Sequence, residues 1–402
     1  MKYNYVIIGG GIVGLASAYH ILKQHAGARL LVVEKEGSVA AHQTGHNSGV
    51  IHSGIYYKPG SLKAQNCING YHMMIDFCNE HGIRYELCGK LIVAVDEKEI
   101  PELDKLYQRG HENGLTKITY VEKERIAEYE PHLNGVKAIH VPYTGIIDYT
   151  EVCEKLAELV QSMGGEIAYH NQVVDIIPST HQTEVVTVAN KYVTDMVVNC
   201  AGLYCDKIAE MAGEKTDTRI IPFRGEYFML RPEKRYLVKN LIYPVPDPNF
   251  PFLGVHFTRM IHGDVEAGPN AVFAFKREGY EKSEVDLVEM FESLTWPGFQ
   301  KVAAKYWKTG IGEFYRSFSK AAFTKALQRL IPEVQEDDLI PAEAGVRAQA
   351  CDKTGGLLDD FKIIQKANAI HVLNAPSPAA TSSLSIGKTI ADLAIQNKVH
   401  HV

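Results

Sequence analysis

The sequence contains 402 residues, of which 46% are hydrophobic and 22% are charged, and its formal net charge is −6. This length exceeds what one simple core accommodates and predicts two domains. The mild acidity and the lack of a dense Lys/Arg block argue against a nucleic-acid partner.

The N-terminal segment has the pattern of a dinucleotide-binding βαβ unit. Residues 5–8 and 30–33 are short apolar runs that predict parallel strands, and residues 15–22 between them have helical apolar spacing. The first run leads directly into Gly9-Gly10-Gly11-Ile12-Val13-Gly14. Because this G-x-G-x-x-G motif lies in a strand–turn–helix–strand frame, it predicts a bound dinucleotide rather than a ligand-free glycine turn.

Each position of this unit has a physical role. Gly9 permits the tight turn, Gly11 lets the backbone approach a pyrophosphate, and Gly14 lets the helix pack against the strand. The helix N-terminus offers free N–H groups to the phosphates. Glu34 follows the second strand and can accept hydrogen bonds from ribose hydroxyls. The adjacent Lys35 is also a predicted cofactor contact.

The middle of the chain contains a further unit of the same kind. Residues 61–82 and 100–113 are predicted helices, and a strand over 89–95 lies between them. Residues 147–177 then resemble a nucleotide-domain unit whose helix starts near Asp148, and Val174 in its last strand is a predicted cofactor contact.

A third apolar strand covers residues 196–202 and ends in Ala201 and Gly202. Open α/β sheets bind their ligands at the carboxyl ends of the strands. Small residues at this position allow the backbone to approach a ligand closely.

The remaining sequence predicts a different layer. Short β-like runs between residues 222 and 272 indicate an antiparallel sheet, and residues 285–330 are mainly helical. Residues 363–373 return to strand, and a loop over 374–383 leads into a helix over 384–396. The seven cysteines are odd in number without a C-x-x-C pair, and the histidines are scattered, so neither a disulfide framework nor a metal site is expected.

This discontinuous layout resembles the FAD-dependent amino-acid oxidase and glycerol-phosphate dehydrogenase superfamily, and the strand ending in Val198-Asn199-Cys200-Ala201-Gly202 is similar to its second signature. The segments 45–59, 89–94, 262–271 and 344–349 together resemble the L-2-hydroxyglutarate dehydrogenase/oxidase family.

The resemblance implies an α/β fold with FAD as the cofactor. A Rossmann-like FAD-binding domain with a parallel sheet would be assembled from residues 1–85, 146–220 and 335–402. An α+β substrate-binding domain with a mainly antiparallel sheet would comprise 86–145 and 221–334.

The implied reaction is oxidation of L-2-hydroxyglutarate, a dicarboxylic small molecule, to 2-oxoglutarate by hydride transfer to flavin, with oxygen or a quinone as the electron acceptor. The alternatives are another superfamily substrate (an amino acid or glycerol phosphate), a non-catalytic FAD-binding protein, and an NAD-dependent dehydrogenase. No segment approaches the ~20 apolar residues of a membrane span, and no signal segment precedes the first strand. We expect a cytoplasmic enzyme, with peripheral association at the inner face of the membrane as an addition.

Two loops are predicted to hold the flavin. The loop over 44–54 carries Thr44, Ser48 and Gly49, which suit close backbone contact and phosphate hydrogen bonding. The loop before the C-terminal helix carries Ala379, Ala380 and Thr381, where the superfamily usually has more glycines. N–H groups at that helix start can stabilise negative charge on the flavin's pyrimidine side.

Two histidines are candidates for the base that removes the substrate's hydroxyl proton. His52 lies within the 44–54 loop, and His256 lies on a predicted strand of the substrate domain. A neutral imidazole suits this role. The alternative role of His52 is to form a hydrogen bond with the flavin or to fix the loop. The alternative for His256 is a buried core histidine without a catalytic role.

Arg347 is the candidate carboxylate ligand, because a guanidinium binds carboxylate through two parallel charge-assisted bonds. Its competing interpretation is a surface salt bridge. A distal carboxylate would need a second cation, for which Arg259, Lys276 and Arg277 are available.

Overall fold

A computed structural model describes residues 2–248 and 253–399 of the chain. The helices are α1 (Ile12–Gln24), α2 (Leu62–His81), α3 (Ile100–Glu112), α4 (Ile126–Tyr129), α5 (Tyr149–Ser162), α6 (Cys205–Met211), α7 (Leu287–Thr295), α8 (Pro297–Phe318), α9 (Lys320–Leu327) and α10 (Ala379–Val399). The strands are β1 (Lys2–Ile8), β2 (Leu30–Val33), β3 (Val50–Ile51), β4 (Tyr85–Glu86), β5 (Lys90–Ala94), β6 (Thr119–Glu122), β7 (Lys137–Val141), β8 (Gly145–Ile147), β9 (Glu166–Ala168), β10 (Val173–Pro178), β11 (Thr183–Thr187), β12 (Lys191–Asn199), β13 (Thr218–Gly225), β14 (Phe228–Leu230), β15 (Leu241–Pro244), β16 (His256–Arg259), β17 (Val265–Gly268), β18 (Val272–Phe273), β19 (Leu339–Pro341), β20 (Gly345–Asp352), β21 (Lys362–Lys366) and β22 (Ala369–Asn374).

The first sheet has a parallel centre in the order β9–β2–β1–β12–β22. In this register Ile8 lies opposite both Val33 and Asn199, so the strands end at one edge. Antiparallel strands β10, β11 and β21 complete the sheet. Strands from three distant stretches of sequence therefore share one sheet.

Helices α1, α2, α5 and α10 form the layer on one face of this sheet. Apolar strands buried on both faces, as β2 is along its whole length, are typical of parallel sheets. Helix α10 lies very close to α1, because a Cβ added at Gly387 would lie 2.5 Å from the backbone carbon of Ala16. The C-terminal helix is therefore held directly above the nucleotide-binding strands.

The second sheet has the order β19–β14–β17–β16–β15–β5–β7–β6 and is antiparallel except for the pair β5–β15. A separate apolar core, which includes Leu91, Phe257 and Phe323, joins it to α9. Two three-stranded sheets, β18–β13–β20 and β3–β8–β4, complete the arrangement.

The predicted fold class, a parallel Rossmann-like sheet with a second and mainly antiparallel sheet, is confirmed. The residue boundaries given above for the two domains stay a prediction. No described helix combines the length and the apolarity needed to cross a bilayer.

Two local predictions near the C-terminus are wrong. The predicted single strand over 363–373 is a hairpin, β21–β22. The predicted loop over 374–383 ends earlier than expected, because α10 begins at Ala379 rather than at residue 384. The small residues at 379–383 read as a loop in the sequence, yet Thr381, Ser382 and Ser383 are fully buried in the first turns of the helix.

Candidate functional site

The fingerprint turn lies against the carboxyl end of β12. Gly9 has φ of +109°, a conformation that glycine adopts without strain, and a Cβ there would lie 2.5 Å from the carbonyl oxygen of Cys200. Gly14 is equally restricted, since its Cβ would lie 2.1 Å from the Gly9 carbonyl oxygen. Cys200 leads into Ala201 and Gly202, so the two small-residue segments singled out in the sequence meet at this edge.

Glu34 lies buried beneath the same turn. Its Oε2 accepts a hydrogen bond from the backbone N–H of Gly10 at 2.6 Å, and its Oε1 accepts one from Glu36 at 2.9 Å. The neighbouring Lys35 is ion-paired with Glu278 and with Glu36. The carboxylate of Glu34 thus faces the glycine turn, while the ammonium of Lys35 is neutralised by protein groups.

The N-terminus of α1 suits a phosphate group. Its cap residue, Gly11, provides no side-chain acceptor, and the first turn has no acidic residue. A Cβ at Gly11 would meet only the Thr44 hydroxyl, at 3.4 Å, and that hydroxyl accepts the N–H of Ile12 at 3.2 Å. Backbone donors, a positive dipole end and space in front of them are what a dinucleotide's pyrophosphate requires.

The remaining residues predicted to bind cofactor lie in different settings. Gly49 has φ of +63° and packs on the backbone of β8, with its carbonyl accepting the N–H of Ile147 at 2.8 Å. Ser48 beside it is half-buried. Val174 lies on the edge strand β10 and is 47% exposed.

Thr381 joins the C-terminal helix to His52. The backbone N–H of His52 donates to the Thr381 hydroxyl at 3.1 Å, and this hydroxyl also lies 2.8 Å from the Tyr149 hydroxyl. Ala379 and Ala380 form the start of the same turn and are half-buried. The two predicted flavin loops are therefore in direct contact.

His52 and His256 belong to one buried electrostatic cluster. Burial, together with the charges of Lys90, His256 and Lys63, lowers the pKa of His52 to about 3. Burial likewise lowers the pKa of His256 to about 3, with Arg347 and Lys90 contributing in the same direction. Both rings are neutral near pH 7, which a proton acceptor requires.

The tautomer of His256 follows from its contacts. Its Nδ1 lies 2.9 Å from the carbonyl oxygen of Gly254, which can only accept, so Nδ1 carries the proton and Nε2 has the lone pair. The ring also packs on Tyr243, with ring centroids 3.9 Å apart.

Arg347 lies on β20, opposite Phe223 of β13, and its positive charge acts on the hydroxyl of Tyr227. Because its charge acts on His256, the structure brings three predicted catalytic residues, His52, His256 and Arg347, into one cluster.

The three cations considered for a distal carboxylate are all bound elsewhere. Arg259 pairs with Glu86, Lys276 pairs with Glu284, and Arg277 pairs with the buried Asp206. Since each already has a carboxylate partner, the expectation that one of them is available is wrong.

Sequence reasoning missed four polar side chains of the cluster: Lys90, Tyr56, Tyr243 and Glu266. The ammonium of Lys90 lies 4.5 Å from the ring centroid of Tyr56 and 4.7 Å from that of Tyr243. Glu266 is 8% exposed, and burial raises its pKa to about 7. A sequence signal existed for Lys90, because a lysine opens the otherwise apolar strand Lys90–Ala94.

A cavity of about 350 Å³ lies beside this cluster. Its wall includes Asn47 from the 44–54 loop, Tyr227 and Glu266 from the second sheet, and Gly345 from β20. The loop predicted to carry the flavin and the sheet predicted to carry the substrate therefore enclose one space.

Comparison with solved structures supports the same architecture. An FAD-bound L-alpha-glycerophosphate oxidase from Mycoplasma pneumoniae superposes with a TM-score of 0.80 at 22% identity, covering 98% of this chain and 95% of that one. Glycine oxidase from Geobacillus kaustophilus gives a TM-score of 0.73 at 16% identity, with 98% and 95% coverage. At these identities the likeness concerns the fold alone.

Comparison of sequences is more specific. The profile of the FAD dependent oxidoreductase family (DAO) matches residues 4–393. The L-2-hydroxyglutarate dehydrogenase of Indibacter alkaliphilus is 58% identical over 98% of this chain and 100% of its own length. The mitochondrial L-2-hydroxyglutarate dehydrogenase of Homo sapiens is 46% identical over 97% of this chain and 88% of its own. The chain therefore belongs to the FAD dependent oxidoreductase family, and within it to the family of the L-2-hydroxyglutarate dehydrogenases.

Proposed function

We propose that this protein oxidises L-2-hydroxyglutarate to 2-oxoglutarate in an FAD-dependent reaction. The observation that carries the proposal is the buried cluster in which two neutral histidines lie within the electrostatic range of Arg347 and Lys90. A 2-hydroxy acid needs a proton acceptor for its hydroxyl and a cation for its carboxylate, and this cluster contains both. The 58% identity to the Indibacter alkaliphilus enzyme supports the same substrate.

The residues that would hold FAD extend along the edge of the first sheet. The N-terminus of α1, with Gly9, Gly11 and Thr44, suits the pyrophosphate, and Glu34 suits the ribose. The first turn of α10, from Ala379 to Thr381, offers N–H groups to the carbonyl edge of the ring system. When bound, FAD supplies the acceptor for two electrons and one hydrogen.

His52 takes the hydroxyl proton in this proposal. Its backbone is tied to the start of α10, which places the ring beside the loop that would hold the flavin edge. As the C–H bond breaks and the hydrogen leaves as hydride, the O–H proton moves to the imidazole and the carbon–oxygen double bond forms. His256, held by Gly254 and Tyr243, acts as a positioning residue in the same cluster.

Arg347 binds the carboxylate next to the reacting carbon. A guanidinium binds a carboxylate through two parallel charge-assisted bonds, so the carboxylate is bound in one orientation. Fixing the carboxylate turns the C–H bond toward the cofactor, and this orientation supplies much of the rate acceleration.

The electron acceptor in this proposal is oxygen or a membrane quinone, and the quinone would be reached by peripheral contact with an anionic bilayer. The support is an exposed set of side chains, here called the apolar helix face: Leu287, Val288, Phe291 and Leu294 on α7 and Trp307, Ile311, Tyr315 and Phe318 on α8. Each is at least 45% exposed, whereas monomeric soluble proteins seldom expose large apolar groups together.

Charge along α8 favours the same partner. Lys301, Lys305 and Lys308 are exposed on this helix, while the acidic Glu313 is buried and paired with Arg316. Exposed Trp and Phe beside lysines on a helix are typical of segments that lie at an anionic lipid surface.

The test is the visible spectrum of the purified flavoprotein without air. Addition of L-2-hydroxyglutarate should bleach the flavin, whereas glycine, L-proline and glycerol 3-phosphate should leave it oxidised. Bleaching by an amine or by glycerol phosphate alone would refute the substrate assignment. A colourless protein that does not bind added FAD would refute the cofactor assignment.

A further inference from the structure

We propose that Lys90 binds the distal carboxylate of the substrate and so makes the site selective for dicarboxylic 2-hydroxy acids. This inference rests on the proposed function, and it concerns a residue that the sequence pattern presents only as the first position of an apolar strand.

Lys90 is a buried cation that has no anionic partner among the described residues. Its side chain is among the largest that are fully buried, and the residue is 1% exposed. Within the part of the chain that the structure describes, no carboxylate lies within 4.0 Å of its ammonium, and the ammonium makes no hydrogen bond. Its contacts are the faces of Tyr56 and Tyr243, at 4.5 and 4.7 Å.

An unpaired buried ammonium is unfavourable, because burial removes its hydration and no anion balances its charge. Burial accordingly lowers the pKa of Lys90 to about 7. Cation–π contacts with two tyrosines recover part of the lost solvation but provide no countercharge. A buried lysine without a countercharge has a physical explanation if an anionic ligand binds beside it and completes the ion pair.

Two other lysines show that the tyrosine contact alone does not explain Lys90. Lys63 lies over the ring of Tyr57 at 4.8 Å and also pairs with Asp359 at 2.6 Å. Lys137 lies over a tyrosine ring at 3.9 Å and pairs with a carboxylate at 3.2 Å. Both have the same aromatic contact, but each already has an acidic partner.

The position of Lys90 relative to Arg347 fits a dicarboxylate. Both cations act on His256, and Lys90 also acts on His52. The two positive groups therefore share one electrostatic cluster with the neutral imidazoles, and a dicarboxylic substrate likewise has two negative groups. Arg347 lies on β20, whereas Lys90 extends from β5 between two rings, so the two sites come from separate elements.

One further acidic group faces this space. Glu266 has an Oε2 atom that is buried without a hydrogen-bond partner, and its charge acts on Tyr227 and Tyr243. It is outside ion-pair distance of Lys90, so it does not neutralise the ammonium. A dianionic ligand here would favour the protonated form of Glu266, which can then donate a hydrogen bond.

The test compares the Lys90→Met enzyme with wild type on L-2-hydroxyglutarate and on L-2-hydroxybutyrate, which lacks the distal carboxylate. Loss of a desolvated charge pair should raise KM for L-2-hydroxyglutarate about 10²-fold, with kcat changed far less. KM for L-2-hydroxybutyrate should stay within about threefold of wild type. The inhibition constant of glutarate should rise in parallel, while that of butyrate should not change.

Lys137→Met is the matched control, because it removes a lysine that also lies over a tyrosine ring but already pairs with a carboxylate. The melting temperature of Lys90→Met should be equal to or higher than that of wild type, since an unpaired buried charge is replaced by an apolar chain of similar length. The proposal would be overturned if KM rose equally for both substrates, or if the inhibition constant of glutarate did not change. Failure of wild type to bleach with L-2-hydroxyglutarate would instead refute the proposed function.

Discussion

The backbone N–H of His52 donates a hydrogen bond to the hydroxyl of Thr381 at 3.1 Å, across 329 positions of sequence. The same hydroxyl lies 2.8 Å from that of Tyr149 at the start of α5 and 3.3 Å from the carbonyl oxygen of Val50. One buried threonine thereby links the loop after β2, the helix α5 and the C-terminal helix. The orientation of His52 depends on a residue that lies at the other end of the chain.

Replacing Thr381 with valine should therefore affect both stability and catalysis. The variant leaves the N–H of His52 and the hydroxyl of Tyr149 without this partner, which should lower the free energy of unfolding by about 1–3 kcal/mol. Urea denaturation measures this change, and stopped-flow flavin reduction should show a reduced rate. Thr381→Ser keeps the hydroxyl and should recover most of the stability and most of the reduction rate. A serine variant as impaired as the valine variant would contradict the hydrogen-bond explanation.

The two histidines should differ in the kinetic constant that they control. His52→Gln removes the proposed proton acceptor and should lower the limiting rate of flavin reduction about 10²- to 10⁴-fold with L-2-hydroxyglutarate. His256→Gln should mainly raise KM, because this ring positions the site through Gly254 and Tyr243. Anaerobic stopped-flow absorbance separates the two effects. The reverse pattern would assign the base to His256.

The pH dependence of kcat/KM should distinguish a dicarboxylate from a monocarboxylate. Burial lowers the pKa of Lys90 to about 7, so its ammonium is present below that pH and is lost as pH rises through it. Because kcat/KM reports ionisation of the free enzyme, the value for L-2-hydroxyglutarate should decrease about tenfold per pH unit above about pH 7. The pKa values of His52 and His256, near 3, predict no acidic limb down to about pH 5.

The other titratable groups around Lys90 determine which control variant the pH profile of kcat/KM needs. Cys67, Tyr56 and Tyr243 have raised pKa values because they are buried, so they stay neutral in this range. Glu266, whose pKa burial raises to about 7, is the exception. The decrease should persist in Glu266→Gln and disappear in Lys90→Met. If kcat/KM for L-2-hydroxybutyrate decreased with the same slope above pH 7, Lys90 would not explain the pH dependence.

The nucleotide-binding edge could be predicted because its signals are local. Gly9, Gly14 and Glu34 have roles that follow from their positions in one short βαβ unit, and the sequence order of that unit is its order in space. The helix start at Ala379 could not be predicted in this way. Its small polar residues are buried by contact with α2, where a Cβ at Gly70 would lie 2.5 Å from Ser382, and this contact is not visible locally.

The charges of the substrate site could be predicted only in part. A sequence does not reveal which cations already have partners, so it presents Arg277 as available although Asp206 holds it in the core. Lys90 presents the opposite problem, since a lysine at the start of a strand suggests solvent. Its burial results from the parallel pairing of β5 with β15, which brings Tyr243 beside it.

The apolar helix face should control binding to lipid without controlling the chemistry. Trp307, Ile311, Tyr315 and Phe318 follow one another at intervals of three or four residues, so they project from one side of α8. In co-sedimentation with vesicles that contain anionic lipid, replacement of Trp307 and Phe318 by serine should lower the bound fraction about tenfold. Flavin reduction by L-2-hydroxyglutarate should stay unchanged, whereas turnover with a vesicle-embedded quinone should decrease.

Val188→Ser, at an exposed apolar position outside this face, is the control. Equal sedimentation of the double variant and wild type, or equal binding to neutral and anionic vesicles, would show that this surface does not contact an anionic membrane.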